Sequence, residues 1–217
     1  MKIENVLFDL DGTLTDPGIG ITNSVWYALR LRGIEVASRE ELYRFIGPPL
    51  LNSYMEYYGL TEEDARQGIT DFRVYFEEAG IFENEIYPGI PEMLKALTEA
   101  GVKVYLATSK PEKYARMILD HFSITSYFTF ICGNTMAEDR SKKEDVIACI
   151  REACPQVRPE NSVMVGDRIY DIEGGRAHGM RTAAVTYGYA SEGELEGSGA
   201  TWMVDTVEAL TRVLLEN

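Results

Sequence analysis

Apolar residues recur along this chain in two rhythms. Short β-rich runs fall at residues 6–8, 102–106, 128–131, 163–165 and 182–185. From residue 102 onward they alternate with stretches of helical period at 112–121, 142–153, 171–178 and 207–215. That order predicts a mostly parallel sheet covered by helices. Residues 16–87 break the alternation: helix-like runs at 22–31, 50–58 and 62–78 are punctuated at Gly33, Gly47-Pro48-Pro49, Gly59 and Gly80, with no strand pattern among them. The pattern predicts an α/β class protein, a Rossmann-like core of residues 1–15 and 88–217 interrupted after its first strand by an all-helical insertion, residues 16–87. The chain rejoins the core near Tyr87-Pro88-Gly89.

Composition narrows the partners. At 217 residues, with 45% hydrophobic and 26% charged residues, the chain has enough material for a full core and reads as globular. The 35 acidic residues against 21 basic ones give a net charge of −14, which argues against a nucleic acid polymer or an anionic membrane as partner. Met-Lys-Ile-Glu-Asn opens the chain without a basic region leading into a long apolar stretch, so no secretory leader is expected, and no apolar run has membrane-spanning length. Cys132, Cys149 and Cys154 are odd in number and lack a Cys-x-x-Cys spacing, which fits a reducing compartment better than a disulfide framework or a zinc site. A cytoplasmic protein is expected, with a monomer as the default and a dimer as the alternative.

The candidate chemistry lies where the β-runs end. Asp9 and Asp11 follow the first, Thr108 and Ser109 the second, and Asp167 with Asp171 the fourth, while Lys142 and Lys143 open an intervening helix. Open α/β sheets gather ligands beyond the carboxyl ends of their strands. Each group has a local explanation as well: a turn at Asp11-Gly12, a helix cap at Thr108 or Ser109, a solvated helix start at the lysines. Recurrence at successive strand ends is harder to assign to packing, because a like-charge pair about 4 Å apart costs roughly 4 kcal/mol at an effective dielectric of about 20. A divalent cation and a lysine would offset that repulsion. Asp9 and Asp11, two positions apart at an extended strand end, would face the same side.

These residues resemble the haloacid dehalogenase superfamily of phosphohydrolases. In chain order, Asp9-Leu10-Asp11-Gly12-Thr13 is similar to its first motif, Thr108 to its second, Lys142 or Lys143 to its third, and Gly166-Asp167-Arg168-Ile169-Tyr170-Asp171 to its fourth. The helical insertion resembles the family's cap domain, and the whole looks closest to the phosphoglycolate phosphatase-like branch. The resemblance implies a Mg²⁺-dependent phosphomonoesterase acting on a small phosphorylated metabolite. It implies Asp9 as the nucleophile that forms an aspartyl-phosphate, and Asp11 as the acid for the leaving oxygen and then the base for water. Thr108 would hydrogen-bond a phosphoryl oxygen at a helix N-terminus, with Ser109 and the Gly12 backbone beside the substrate and a lysine as its point charge. Lys143 is favoured over Lys142, since the Lys-acidic-acidic-apolar order after it looks like the family's lysine-led helix. Asp9, the Asp11 carbonyl, Asp167 and, directly or through water, Asp171 would hold Mg²⁺.

Substrate choice is expected in the insertion, with Arg44 in Tyr43-Arg44-Phe45-Ile46-Gly47-Pro48-Pro49 able to pair with an anionic group; the bland reading makes Arg44 a surface residue. Neither lysine nor histidine occurs between Thr15 and Tyr87, which disfavours relatives that use a cap lysine or histidine. His178, just before Gly179, reads as a helix-end residue. A 5'-nucleotidase or pyrophosphatase of the same mechanism is the nearest alternative, and a phospho-signalling or binding module is a further one.

Overall fold

The structure, a computed structural model, describes residues 2–217. Its chain order is β1 (Asn5–Phe8), β2 (Thr15–Asp16), α1 (Gly18–Arg30), α2 (Leu50–Tyr58), α3 (Glu62–Tyr75), β3 (Glu85–Ile86), α4 (Ile90–Glu99), β4 (Lys103–Pro111), α5 (Glu112–His121), β5 (Phe128–Asn134), α6 (Lys143–Ala153), β6 (Ser162–Gly166), α7 (Ile169–Ala177), β7 (Arg181–Val185), β8 (Trp202–Val204) and α8 (Val207–Glu216). The chain divides into two compact units, residues 1–16 with 86–217, and residues 17–85. No helix among the described residues is long and apolar enough to cross a membrane.

The larger unit is a six-stranded sheet in the order β5-β4-β1-β6-β7-β8, with every pairing parallel. The strands read as near-continuous apolar runs because helices cover both faces; β1 and β6 are buried throughout. Leu7, Tyr105 and Met164 share one core cluster with Val146, Ile147 and Ile150 of α6, and their buried neighbours Val6, Phe8, Val104, Leu106, Val163 and Val165 take the opposite face by alternation. The chain leaves β1 toward β4 and β5, then crosses to β6 on the other side, so the strand order reverses between β1 and β6. That reversal opens a crevice at their carboxyl ends, where Phe8 is in register with Val165.

Two elements of this unit escape the sequence pattern as read above. Helix α4 carries its buried positions at Ile90, Met93, Leu94 and Leu97, with Gly89 at φ 90° and a proline in the first turn, where no backbone N–H is needed. Strand β8 is only three residues long. Strand β4 also runs past the expected Leu106 to Pro111, alongside β5 as far as Asn134. Gly133 permits this: a Cβ there would lie 2.6 Å from the Lys110 carbonyl oxygen.

The smaller unit is helical, with a 3₁₀ segment at Glu40–Phe45 and one π-helical turn at Phe76–Gly80 that closes α3. Its core holds Tyr54, whose ring packs at 5.2 Å from Phe45 and over Gly68, where a Cβ would approach within 3.3 Å. Helix α1 starts four residues before the expected 22, directly after Pro17. The glycines that masked its first turn serve packing: a Cβ on Gly20 would lie 2.0 Å from the Gly80 carbonyl oxygen. Arg32 and Asp71 join α1 to α3 with a 2.8 Å ion pair.

Candidate active site

Four carboxylates and two lysines of the larger unit meet at the β1/β6 crevice. Asp9 directly follows β1, and its Oδ1 accepts a hydrogen bond from the Leu10 N–H at 2.7 Å. Asp167 directly follows β6 and is fully buried. Its Oδ1 accepts from the Thr13 hydroxyl at 3.1 Å and its Oδ2 from the Tyr189 N–H at 2.8 Å. Asp171 lies in the first turn of α7 and accepts from the Arg168 N–H at 3.0 Å, so one carboxylate both caps the helix and faces the cluster. Carboxylate oxygens of Asp9, Asp167 and Asp171 lie within 4.8 Å of one another.

Lys143, the first residue of α6, enters this cluster and is 5% exposed. Its Nζ lies 2.8 Å from Asp171 Oδ1 and 3.1 Å from Asp9 Oδ1, and it donates to the Ala107 carbonyl at 2.7 Å. Lys142 at the N-cap is exposed, outside the cluster. Asp11 sits beside the site under a second cation: Lys110 Nζ donates to both of its oxygens, at 2.8 and 2.6 Å.

Glycines make the crowding possible. A Cβ on Gly12, whose φ is 80°, would fall 2.1 Å from Asp167 Oδ2; one on Gly166 would fall 2.1 Å from the Asp171 carboxyl, and one on Gly188 2.4 Å from Asp167 Cβ. The loop after β7 closes over the same residues. Tyr187 donates its hydroxyl to the Thr13 carbonyl at 3.0 Å, and Tyr189 hydrogen-bonds Asp16.

The electrostatics follow from the burial. Burial pushes Asp167 well above the usual carboxylate range, with Asp171 and Asp9 adding to the shift. Burial also raises Asp171, with Lys143 opposing, and raises Asp11 against the pull of Lys110. Burial alone would lower Lys143, but Asp171 and Asp9 outweigh it and hold the ammonium charged. Four carboxylates against two ammonium groups leave a formal excess of two negative charges. A divalent cation on Asp9, Asp167 and Asp171 would supply the missing charge to an all-oxygen donor set, so these residues fit a hard ion.

Thr108 is buried at 1% exposure, but it does not stand at a helix N-terminus as expected. Strand β4 continues past it and α5 begins only at Glu112 with Pro111 as N-cap, so Thr108 lies in extended chain, its hydroxyl accepting from the Lys110 N–H at 3.2 Å. Ser109 is half-buried beside it. Arg44 belongs to the helical unit, with its guanidinium 4.4 Å from the Tyr57 ring centre and 3.5 Å from Glu41. His178 is the C-cap of α7, its ring nitrogens engaged by Arg151 and the Glu144 carbonyl. Sequence reasoning missed Lys110, Gly188 and Tyr189, and gave Thr13 a place in the first motif but no role. Of those missed, only Lys110 carried a signal, as a basic residue just past an apolar strand.

Known proteins resemble this chain over most of its length. The family profile described as haloacid dehalogenase-like hydrolase matches residues 6–185. A 5'-nucleotidase of Pseudomonas aeruginosa is 40% identical over 99% of this chain and 96% of its own length. Phosphoglycolate phosphatase 1 of the same organism is 30% identical over 94% of this chain and 77% of its own. Among solved structures, a predicted phosphatase from Clostridium acetobutylicum superposes with a TM-score of 0.96 at 41% identity, covering 100% of both chains. With its parallel sheet, its acidic crevice and a match over most of its length, the chain belongs to the haloacid dehalogenase-like hydrolases.

Proposed function

We propose that this protein, a hydrolase acting on phosphate esters, is a Mg²⁺-dependent phosphomonoesterase that works through an aspartyl-phosphate on Asp9. The observation that carries the reading is the charge-deficient cluster of Asp9, Asp167 and Asp171 braced by Lys143. Asp9 attacks phosphorus while Asp11 delivers a proton to the departing oxygen; Asp11 then takes a proton from the water that releases phosphate. Burial raises Asp11, which favours the protonated form the first step needs, and Lys110 holds both of its oxygens in place. Lys143 and the Thr108 hydroxyl bind phosphoryl oxygens, beside Ser109 and the backbone at Gly12. Asp9, Asp167, Asp171 and the Asp11 carbonyl would hold Mg²⁺, which supplies charge neutralisation between an anionic nucleophile and an anionic ester.

The catalytic residues recognise only the phosphoryl group, so we assign the choice of substrate to the helical unit, residues 17–85, with Arg44 as a contributor. A nucleoside 5'-monophosphate is the leading substrate, supported by the 40% likeness to a 5'-nucleotidase over nearly both whole chains. Phosphoglycolate is the second reading, supported by the 30% relative. Phosphate release from nucleoside monophosphates, phosphoglycolate, sugar phosphates and pyrophosphate, with Mg²⁺ or with EDTA, tests both levels. Turnover that needs Mg²⁺ and is greatest on a nucleotide supports the proposal; equal turnover in EDTA, or none on any ester, contradicts it.

A further inference from the structure

Away from the carboxylates, two cysteines meet inside the larger unit. Cys132 in β5 donates its S–H to the sulfur of Cys149 in α6 at a Sγ–Sγ distance of 2.9 Å, across a separation of 17 residues. Cys132 is fully buried, whereas Cys149 is half-buried and so within reach of a small solute. Arg140 donates to Cys132 Sγ at 3.3 Å and to the Gly133 carbonyl at 3.4 Å, placing a fixed cation against the pair. Cys154, at the end of α6, is buried and free. Closing 2.9 Å to a disulfide bond of about 2.05 Å asks for less than about 1 Å of movement of the two sulfurs.

We propose that Cys132 and Cys149 are a redox modification site, converted reversibly to an intramolecular disulfide by a peroxide. The sequence pattern, with its odd cysteine count and no Cys-x-x-Cys spacing, had pointed away from any disulfide; the fold brings the two together from different elements. The reactive sulfur is Cys149, since it belongs to the half-buried residue of the pair and Cys132 is fully buried. Cys149 Sγ attacks one peroxide oxygen: an S–O bond forms, the O–O bond breaks, and the leaving oxygen departs as water or an alcohol after taking the proton the Cys149 thiol gives up. Cys132 then attacks Cys149 Sγ: the S–S bond forms, the S–O bond breaks, and the hydroxyl leaves as water with the Cys132 proton. Two thiols are oxidised by two electrons and one peroxide is reduced. The disulfide links the strand whose Cys132 is in register with Ala107, the residue whose carbonyl accepts from Lys143, to the helix that begins at Lys143.

The test counts thiols. Reduced full-length protein is treated with a slight excess of hydrogen peroxide, denatured, alkylated with N-ethylmaleimide and weighed intact, then mapped by peptides. The count should fall from three adducts to one, at Cys154, with a Cys132–Cys149 cross-linked peptide, and a dithiol reductant should restore three. Cys154→Ser should keep the cross-link, while Cys132→Ser should leave Cys149 as a sulfenic or sulfinic acid. Three unchanged thiols, a cross-link that uses Cys154, or wild-type Cys149 that stops at a sulfinic acid would each overturn the proposal, and none depends on which ester the enzyme hydrolyses.

Discussion

Replacing Lys143 by methionine keeps the length of the side chain and removes its charge. In the native site that charge lies 2.8 Å from Asp171 and 3.1 Å from Asp9, with 3% of the side chain exposed. At an effective dielectric of about 20 each contact carries a gross attraction of roughly 5–6 kcal/mol, but the lysine also bears its own desolvation, so the net loss is smaller. Removing one partner of a buried pair costs about 3–5 kcal/mol, a large share of the roughly 5–15 kcal/mol available to a whole domain. The variant also deepens the excess from two negative charges to three. Urea unfolding in EDTA should show Lys143→Met destabilised by about 3–5 kcal/mol, and saturating Mg²⁺ should recover part of the stability without restoring turnover. Lys142→Met, at an exposed N-cap with no place in the cluster, should stay within about 0.5 kcal/mol of wild type. A Lys143→Met protein as stable as wild type in EDTA, or Lys142→Met as damaging, would refute the charge argument.

Three further outcomes follow from the same site. Asp167, Asp171 and Asp11 all have raised folded values, so without a cation the folded state binds more protons than the unfolded chain once pH exceeds about 4. Their stabilising contribution is therefore complete at lower pH and is lost as pH rises, and the gain in Tm from Mg²⁺ should be larger at pH 7.5 than at pH 5; an equal gain at both would contradict it. Gly12→Ala places a methyl 2.1 Å from Asp167 Oδ2 at a φ of 80°; the backbone alone costs about 1–2 kcal/mol, and displacement of Asp167 should also weaken Mg²⁺ binding measured by calorimetry. Lys110→Met frees both oxygens of Asp11. It should lower kcat by about tenfold to a hundredfold on an alkyl phosphate, and less on p-nitrophenyl phosphate, whose leaving group needs no proton.

The parts of this account legible in the sequence are those where a residue's type and its neighbours agree. Apolar β1 and β6 ending in Asp9 and Asp167 announce both the strand and the site, because a buried parallel strand tolerates carboxylates only at its mouth. Lys143 is legible through the acidic residues after it, which suit the first turn of a helix. What stayed hidden depends on contacts distant in sequence. Lys110 matters only because β4 overruns its apolar stretch beside Gly133; the Tyr189 backbone reaches Asp167 across 22 residues, and no backbone donor is visible in a side-chain pattern. Thr108 looked like a helix cap for the same reason, since its polarity suggested the end of a strand that in fact runs on to Pro111. Cys132 and Cys149 belong to different elements, so no local spacing foretells their contact.

The central claim, that Asp9 takes the phosphoryl group, is tested most directly by trapping the intermediate. Asp11→Asn protein mixed with p-nitrophenyl phosphate and Mg²⁺ should form the phosphoenzyme, because that leaving group departs unprotonated, and should release it slowly, because the base for water is gone. Acid quenching and borohydride reduction convert an aspartyl-phosphate to homoserine, which peptide mass spectrometry locates. Homoserine at position 9, absent when Asp9→Asn is added, is the predicted result. Label at another residue, or steady turnover by an Asp9→Asn protein, would contradict it.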